Sequence, residues 1–287
     1  MIIENTISDF RRELLNLGYS KTVVDNYPKY AQNLLDYTKE NPQKISETHI
    51  KNYYQYLKTK PSRITKKTIS ESHIYSQLLA IKLYFEYLER TKTIKRNPYN
   101  LRIKQTAKNE RIVFTQEEIQ ILYKNTQNLE EKIILHLCYG CGLRRNEVEL
   151  LNLKDVNFEQ KLLFIRKGKG KKRRVIPLTE AIVKDLKDYF LDTEIARNET
   201  EESFLINTNG SKIKGSTIYK NFKKILQRTQ SLKPENYCLH SLRHSIATHL
   251  LENEMSIEMV RDFLGHNQLV STQIYTRINF LKTKLHQ

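Results

Sequence analysis

Only three cysteines occur in the 287 residues, at positions 138, 141 and 238. So small and odd a count cannot build a disulfide framework, and it suits a reducing compartment. Cys138 and Cys141 spell C-x-x-C, but no second such pair and no well-spaced pair of histidines accompanies them; His244 and His249 are the nearest candidates. A zinc or redox site is therefore the weaker reading beside two small buried hydrophobes closing an apolar helix. No apolar run is long enough to span a bilayer. The opening MIIENTISDFRRELL carries Glu4 and Asp9 where a signal peptide would be basic and then apolar. These absences set the expectation of a soluble, cytoplasmic protein with no membrane partner. No Walker-type loop is present, and neither a cofactor nor a resident metal is expected. Internal repeats and low-complexity tracts are also missing, which excludes solenoids and wholesale disorder.

What the chain has in excess is positive charge. Lys and Arg total 49 against 32 Asp and Glu, a net of +17. A lysine-rich composition can simply follow an AT-rich genome, but here the charge clusters. Lys161, Arg166, Lys167, Lys169, Lys171, Lys172, Arg173 and Arg174 fall within one stretch that contains no acid. That pattern points to a polyanionic partner, nucleic acid being the commonest.

The periodicity divides the chain in two. Up to about residue 95, apolar positions recur at helical spacing in four segments, the first carrying Ile7, Phe10, Leu14 and Leu17. Gly18 ends that helix and Ser20 is placed to cap the next. Ser46 starts a third and a fourth runs from about Ile69 to Leu88. Most of the many tyrosines read as ordinary amphipathic packing. Residues 96–112, with Asn97-Pro98 and a basic composition, read as a linker. From 113 to 287 the pattern is again mostly helical. Thr115 and Glu118 make a capping box, and a helix from Glu130 to Cys138 is broken by Gly140-Cys141-Gly142. Leu162–Ile165 and Arg174–Pro177 form a hairpin with a basic, glycine-flanked tip. Helices follow at about 179–191, 215–229, 240–252 and 256–264. The fold class is mainly α with a small β-sheet.

Four local signals in the second part carry chemistry. They are Gly142-Leu143-Arg144-Arg145-Asn146-Glu147, the hairpin tip at Lys169, the run Leu239-His240-Ser241-Leu242-Arg243-His244, and Leu264-Gly265-His266 followed nine residues later by Tyr275. Singly each has a plain explanation. Arg144 and Glu147 could be a surface ion pair worth little. Lys169 could be one solvated charge among many, and Tyr275 one of 17 tyrosines. Together they meet one need. Breaking a phosphodiester requires an oxygen nucleophile, a proton donor for the leaving oxygen, and cations around the phosphorus. A tyrosine hydroxyl, with a free pKa of about 10, attacks and leaves with comparable ease. Arginine forks grip phosphate oxygens two at a time. A lysine can donate the proton and histidines can support it.

These strings resemble the tyrosine recombinase (phage integrase) family, closest in layout to its Xer-like members. The spaced H-x-x-R, L-G-H and Tyr set, with GLRRNEVELLNL and LHSLRHSIATHLL, carries the likeness, which covers nearly the whole chain. It implies a four-helix, SAM-like core-binding domain over 1–95, a linker over 96–112 and a catalytic domain over 113–287, together forming a C-shaped clamp on double-stranded DNA. It implies catalytic roles for Arg144, Lys169, His240, Arg243 and His266, with Tyr275 as nucleophile and Glu147 in support. Lys167, Lys171 and Lys172 crowd the lysine's turn and leave that assignment ambiguous. Arg145 and Asn146 depart from the small or hydroxylic residues expected after the arginine. The likeness also implies paired inverted-repeat sites, a homo-tetramer or a hetero-tetramer with a related recombinase on DNA, and a tail from 277 that docks on a neighbouring protomer, where the plain alternative is a helix packed on its own domain. The absence of an arm-binding domain before residue 6 favours the simple type over the lambda-like type. A type IB topoisomerase-like enzyme and a non-catalytic DNA-binding protein are the competing expectations.

Overall fold

The computed structural model describes residues 2–61, 68–102, 112–166 and 173–265. The chain forms two compact units, 1–109 and 110–287.

The first unit is built from four helices, α1 (Ile2–Asn16), α2 (Lys21–Thr38), α3 (Glu47–Thr59) and α4 (Glu71–Arg90). Each buries one stripe, because apolar residues three and four apart share a helix face. Phe10, Leu34, Leu57, Leu78 and Phe85 meet in one core. Ser46 and Ser70 cap α3 and α4 through their side chains. Ser20 occupies the expected N-cap of α2, but its side chain makes no capping bond. Tyr84 is fully buried, its ring edge-on to Phe10 at 5.3 Å and its hydroxyl 2.8 Å from Thr6 Oγ1. Burial pushes its phenol up to about 12. Ile94, Tyr99 and Leu101 lie against the same core.

The second unit contains α5 (Gln116–Lys124), α6 (Leu129–Leu135), α7 (Arg145–Glu149), α8 (Glu180–Thr193), α9 (Gly215–Arg228), α10 (Leu239–Glu252) and α11 (Ile257–Leu264). A small antiparallel sheet accompanies them, in the order β1 (Val156–Asn157), β2 (Leu162–Ile165), β3 (Arg174–Pro177). Leu163 pairs with Ile176 and Ile165 with Arg174, so the expected hairpin forms in the register that buries Leu163, Ile165 and Ile176. The two-residue strand β1 is too short to show a period in sequence. Thr115 and Glu118 make the expected capping box at α5. One expectation needs correction. The helix through Cys138 ends as an α-helix at Leu135 and widens into a π turn over His136–Gly140. No described helix is long and apolar enough to cross a membrane.

Candidate active site

The π turn explains how Arg144 is presented. Cys141 N–H bonds back to the His136 carbonyl at 2.8 Å, and Leu143 N–H to the Leu137 carbonyl at 2.9 Å. The chain then reverses at Gly142, whose φ is +59°. A side chain there would be strained twice over. The backbone is left-handed, and a Cβ would come within 2.9 Å of Leu264 Cδ2. Arg144 follows in extended conformation as the N-cap of α7.

Glu147, one turn into α7, is the centre of the site. Its Oε2 accepts the Arg144 backbone N–H at 3.0 Å and its Oε1 accepts Arg144 Nη1 at 2.7 Å. Arg174, at the start of β3, grips both oxygens, Nη2 to Oε2 at 2.7 Å and Nη1 to Oε1 at 3.2 Å. Arg243 Nη1 stands 3.9 Å from Oε2. The side chains of Glu147, Arg174 and Arg243 are 3%, 8% and 4% exposed, so this is no surface ion pair; Arg144 retains 21%. Burial alone would push the Glu147 carboxyl up. The Arg174 hydrogen bonds and charge, then the Arg144 N–H and charge, outweigh it and hold the group at about 2. Three guanidinium charges thus face one carboxylate, leaving a surplus of positive charge suited to an incoming phosphate.

Arg243 and His240 come from α10, three residues apart and so on neighbouring positions of one face. His240 is exposed in the first turn and Arg243 is buried. Arg243 Nη1 donates to the Gly142 carbonyl and Nη2 to the Leu264 carbonyl. The arginine therefore ties α10 to the loop before Arg144 and to the end of α11. Gly265 then turns the chain with φ +65°, and a Cβ there would meet Arg174 Cδ at 3.1 Å. His244 is half-buried, its ring 6.4 Å from that of His240.

The structure thus brings together Arg144, Glu147 and Arg243. Lys169, His266 and Tyr275 lie outside the described residues, as does the tail from 277. Arg174 escaped the sequence reading. Strand alternation held the signal: Ile176 faces the core, so Arg174 must face inward as well, and an inward arginine needs a partner. The basic stretch is also less free than its composition suggests. Lys161 pairs with Glu180 and Arg166 with Asp155, in addition to Arg174 with Glu147. Burial pushes the Cys138 and Cys141 thiols up to about 12, which makes them poor thiolate ligands. Among the described residues, no group of three or more His, Cys, Asp or Glu is placed to hold a metal.

Residues 112–282 match the model of the phage integrase family. The chain belongs to that family. A curated relative, tyrosine recombinase XerD of Oceanobacillus iheyensis, is 29% identical over 298 residues, spanning 99% of this chain and 97% of that protein. Tyrosine recombinase XerA of Pyrococcus horikoshii is 35% identical over 173 residues, which is 57% of this chain and 56% of that one. Among solved structures, the Tn1549 transposon integrase in complex with transposon right end DNA shares the fold with a TM-score of 0.74 at 15% identity, over 96% of this chain and 94% of that one. XerH site-specific recombinase bound to palindromic difH substrate gives 0.72 at 21% identity, over 92% and 78%. As a phage integrase family member, the chain has its buried arginine cluster inside the family-matched segment.

Proposed function

We propose that this chain is a cytoplasmic tyrosine recombinase that cuts and rejoins double-stranded DNA at specific sites. The observation that carries the proposal is the convergence of Arg144 and Arg243, from two distant segments, on one buried carboxylate. Such a cluster is costly to bury, and the fork of an arginine matches the oxygens of a phosphate. The helical domain over 1–95 and the catalytic domain over 113–287 both bind the duplex, and the basic segment 96–112 links them. Arg144, His240, Arg243 and His266 hold the scissile phosphate, and Glu147 orients the first arginine. The Tyr275 hydroxyl passes its proton to a histidine of the site and its oxygen attacks phosphorus while the bond to the 5′ oxygen breaks, and Lys169 protonates that leaving oxygen. The phosphodiester energy is kept in a 3′-phosphotyrosine. A 5′ hydroxyl of the partner duplex then attacks it, releases the tyrosine and completes an exchanged strand, with neither ATP nor metal consumed. Four protomers, alike or paired with a related recombinase, act on two sites made of inverted repeats.

The test is covalent capture. A nicked duplex, chosen by the wild-type protein from a random-sequence pool, traps the phosphotyrosine because the short leaving strand diffuses away. Tyr275→Phe abolishes the trapped complex and leaves binding intact. Normal capture by that variant would remove Tyr275 from the reaction.

A further inference from the structure

Glu147 gathers the guanidinium groups, but the backbones that carry Arg144 and Arg243 must also be held in register. Tyr139, in the π turn and five residues before Arg144, crosses to α10. Its hydroxyl lies 3.0 Å from Nδ1 of His249, with the two rings edge to face at 5.8 Å. On the far side of the imidazole, Nε2 lies 2.9 Å from the Phe114 carbonyl oxygen. A carbonyl only accepts, so Nε2 carries the proton. In the neutral ring Nδ1 then accepts, and Tyr139 is the donor. His249 thus bridges a hydroxyl and a carbonyl with both ring nitrogens while only 5% exposed. His249 stands six residues after Arg243, less than two turns along the same helix. A hold on His249 is therefore a hold on Arg243. The π turn is gripped from its other side by the same device. His136 Nε2 lies 2.7 Å from Asp185 Oδ2 in α8, and His136 Nδ1 lies 3.0 Å from the Tyr123 hydroxyl in α5.

We infer that His249 is a positioning residue. Through Tyr139 it sets the Arg144 loop against the Arg243 helix, and so governs the rate of strand cleavage rather than affinity for DNA. The inference rests on the recombinase reading above.

Tyr139→Phe keeps the ring and removes only the hydroxyl. With full-length protein and the nicked duplex selected by the wild type, single-turnover cleavage falls at least about tenfold, the scale expected when reacting groups are slightly misplaced. The dissociation constant for the same duplex stays at the wild-type value, and cleavage is compared at a temperature where each variant is fully folded, because an unpaired buried Nδ1 lowers the melting temperature. His249→Gln falls as far, and the double variant Tyr139→Phe/His249→Gln falls no further than either single one, because the pair acts as a unit. Cleavage by Tyr139→Phe at the wild-type rate overturns the inference alone. So do losses that add in the double variant, or losses that vanish where each variant is fully folded. A wild-type protein that forms no covalent complex overturns the recombinase reading and this inference with it.

Discussion

The interiors of the two units differ in kind. In the first unit Gln77 is the buried polar side chain among the described residues, and its neighbours are aliphatic and aromatic. The second unit buries Glu131, His136, Glu147, Asp155, Asp185, Arg243 and His249. Charge in an interior costs desolvation, and apolar side chains of equal volume would serve stability as well or better. A core that keeps so many ionisable groups is built around something other than stability. The first unit holds its shape by packing; the second holds charges at fixed points.

The largest expected break in that contrast is Glu147→Ala. It strands Arg174 and Arg243 without their common partner, at a cost of about 3–5 kcal/mol in the second unit. Chemical denaturation followed by a probe in each unit separates the effect, and covalent capture is lost at temperatures where the variant is still folded. A loss confined to the first unit, or none, would mean the carboxylate is not the centre described here.

Leu78→Ala is the counterpart in the first unit. Leu78 is fully buried, and the cavity costs about 3 kcal/mol. Here the melting curve moves, while the cleavage rate of DNA-bound protein stays at the wild-type level. A fall in that rate at full occupancy would show that the first core does more than keep its unit folded.

Acid gives the finest discrimination. The Glu147 carboxyl sits at about 2 in the folded chain against an ordinary 4.5. A depressed carboxyl stabilises fully above its unfolded value, and that contribution is lost as pH falls from about 4.5 through 2. In Glu147→Gln this share of the acid dependence disappears, by at most about 1.4 kcal/mol per pH unit. Unfolding titrations of the two proteins over that range read it directly, and equal slopes would remove Glu147 as the source.

Much of this is legible in the sequence alone. The helices of both units follow their apolar spacing, and the hairpin follows its alternation. Arg144, Glu147 and Arg243 stood out because their motifs have fixed spacing. The parts that escaped share a cause, since tertiary contacts decided them. Arg174 was hidden in a run of like charges, where only the pleat shows which one turns inward. The π turn has no spacing signature; Gly140 lies so close to Ile182 that a Cβ would come within 2.9 Å of it. Ser20 had the right type and place for a cap yet makes no capping bond, because position alone does not aim a hydroxyl.

Phe114 is held at both ends of its peptide by α10. Its N–H donates to Ser245 Oγ at 2.8 Å, its carbonyl accepts from His249, and its ring stacks on Tyr237 at 4.0 Å. That amide proton can exchange with solvent only when the helix bearing His240 and Arg243 lets go. Exchange at the residue 114 amide thus reports the opening of α10, in the absence of DNA and without any label near the arginines.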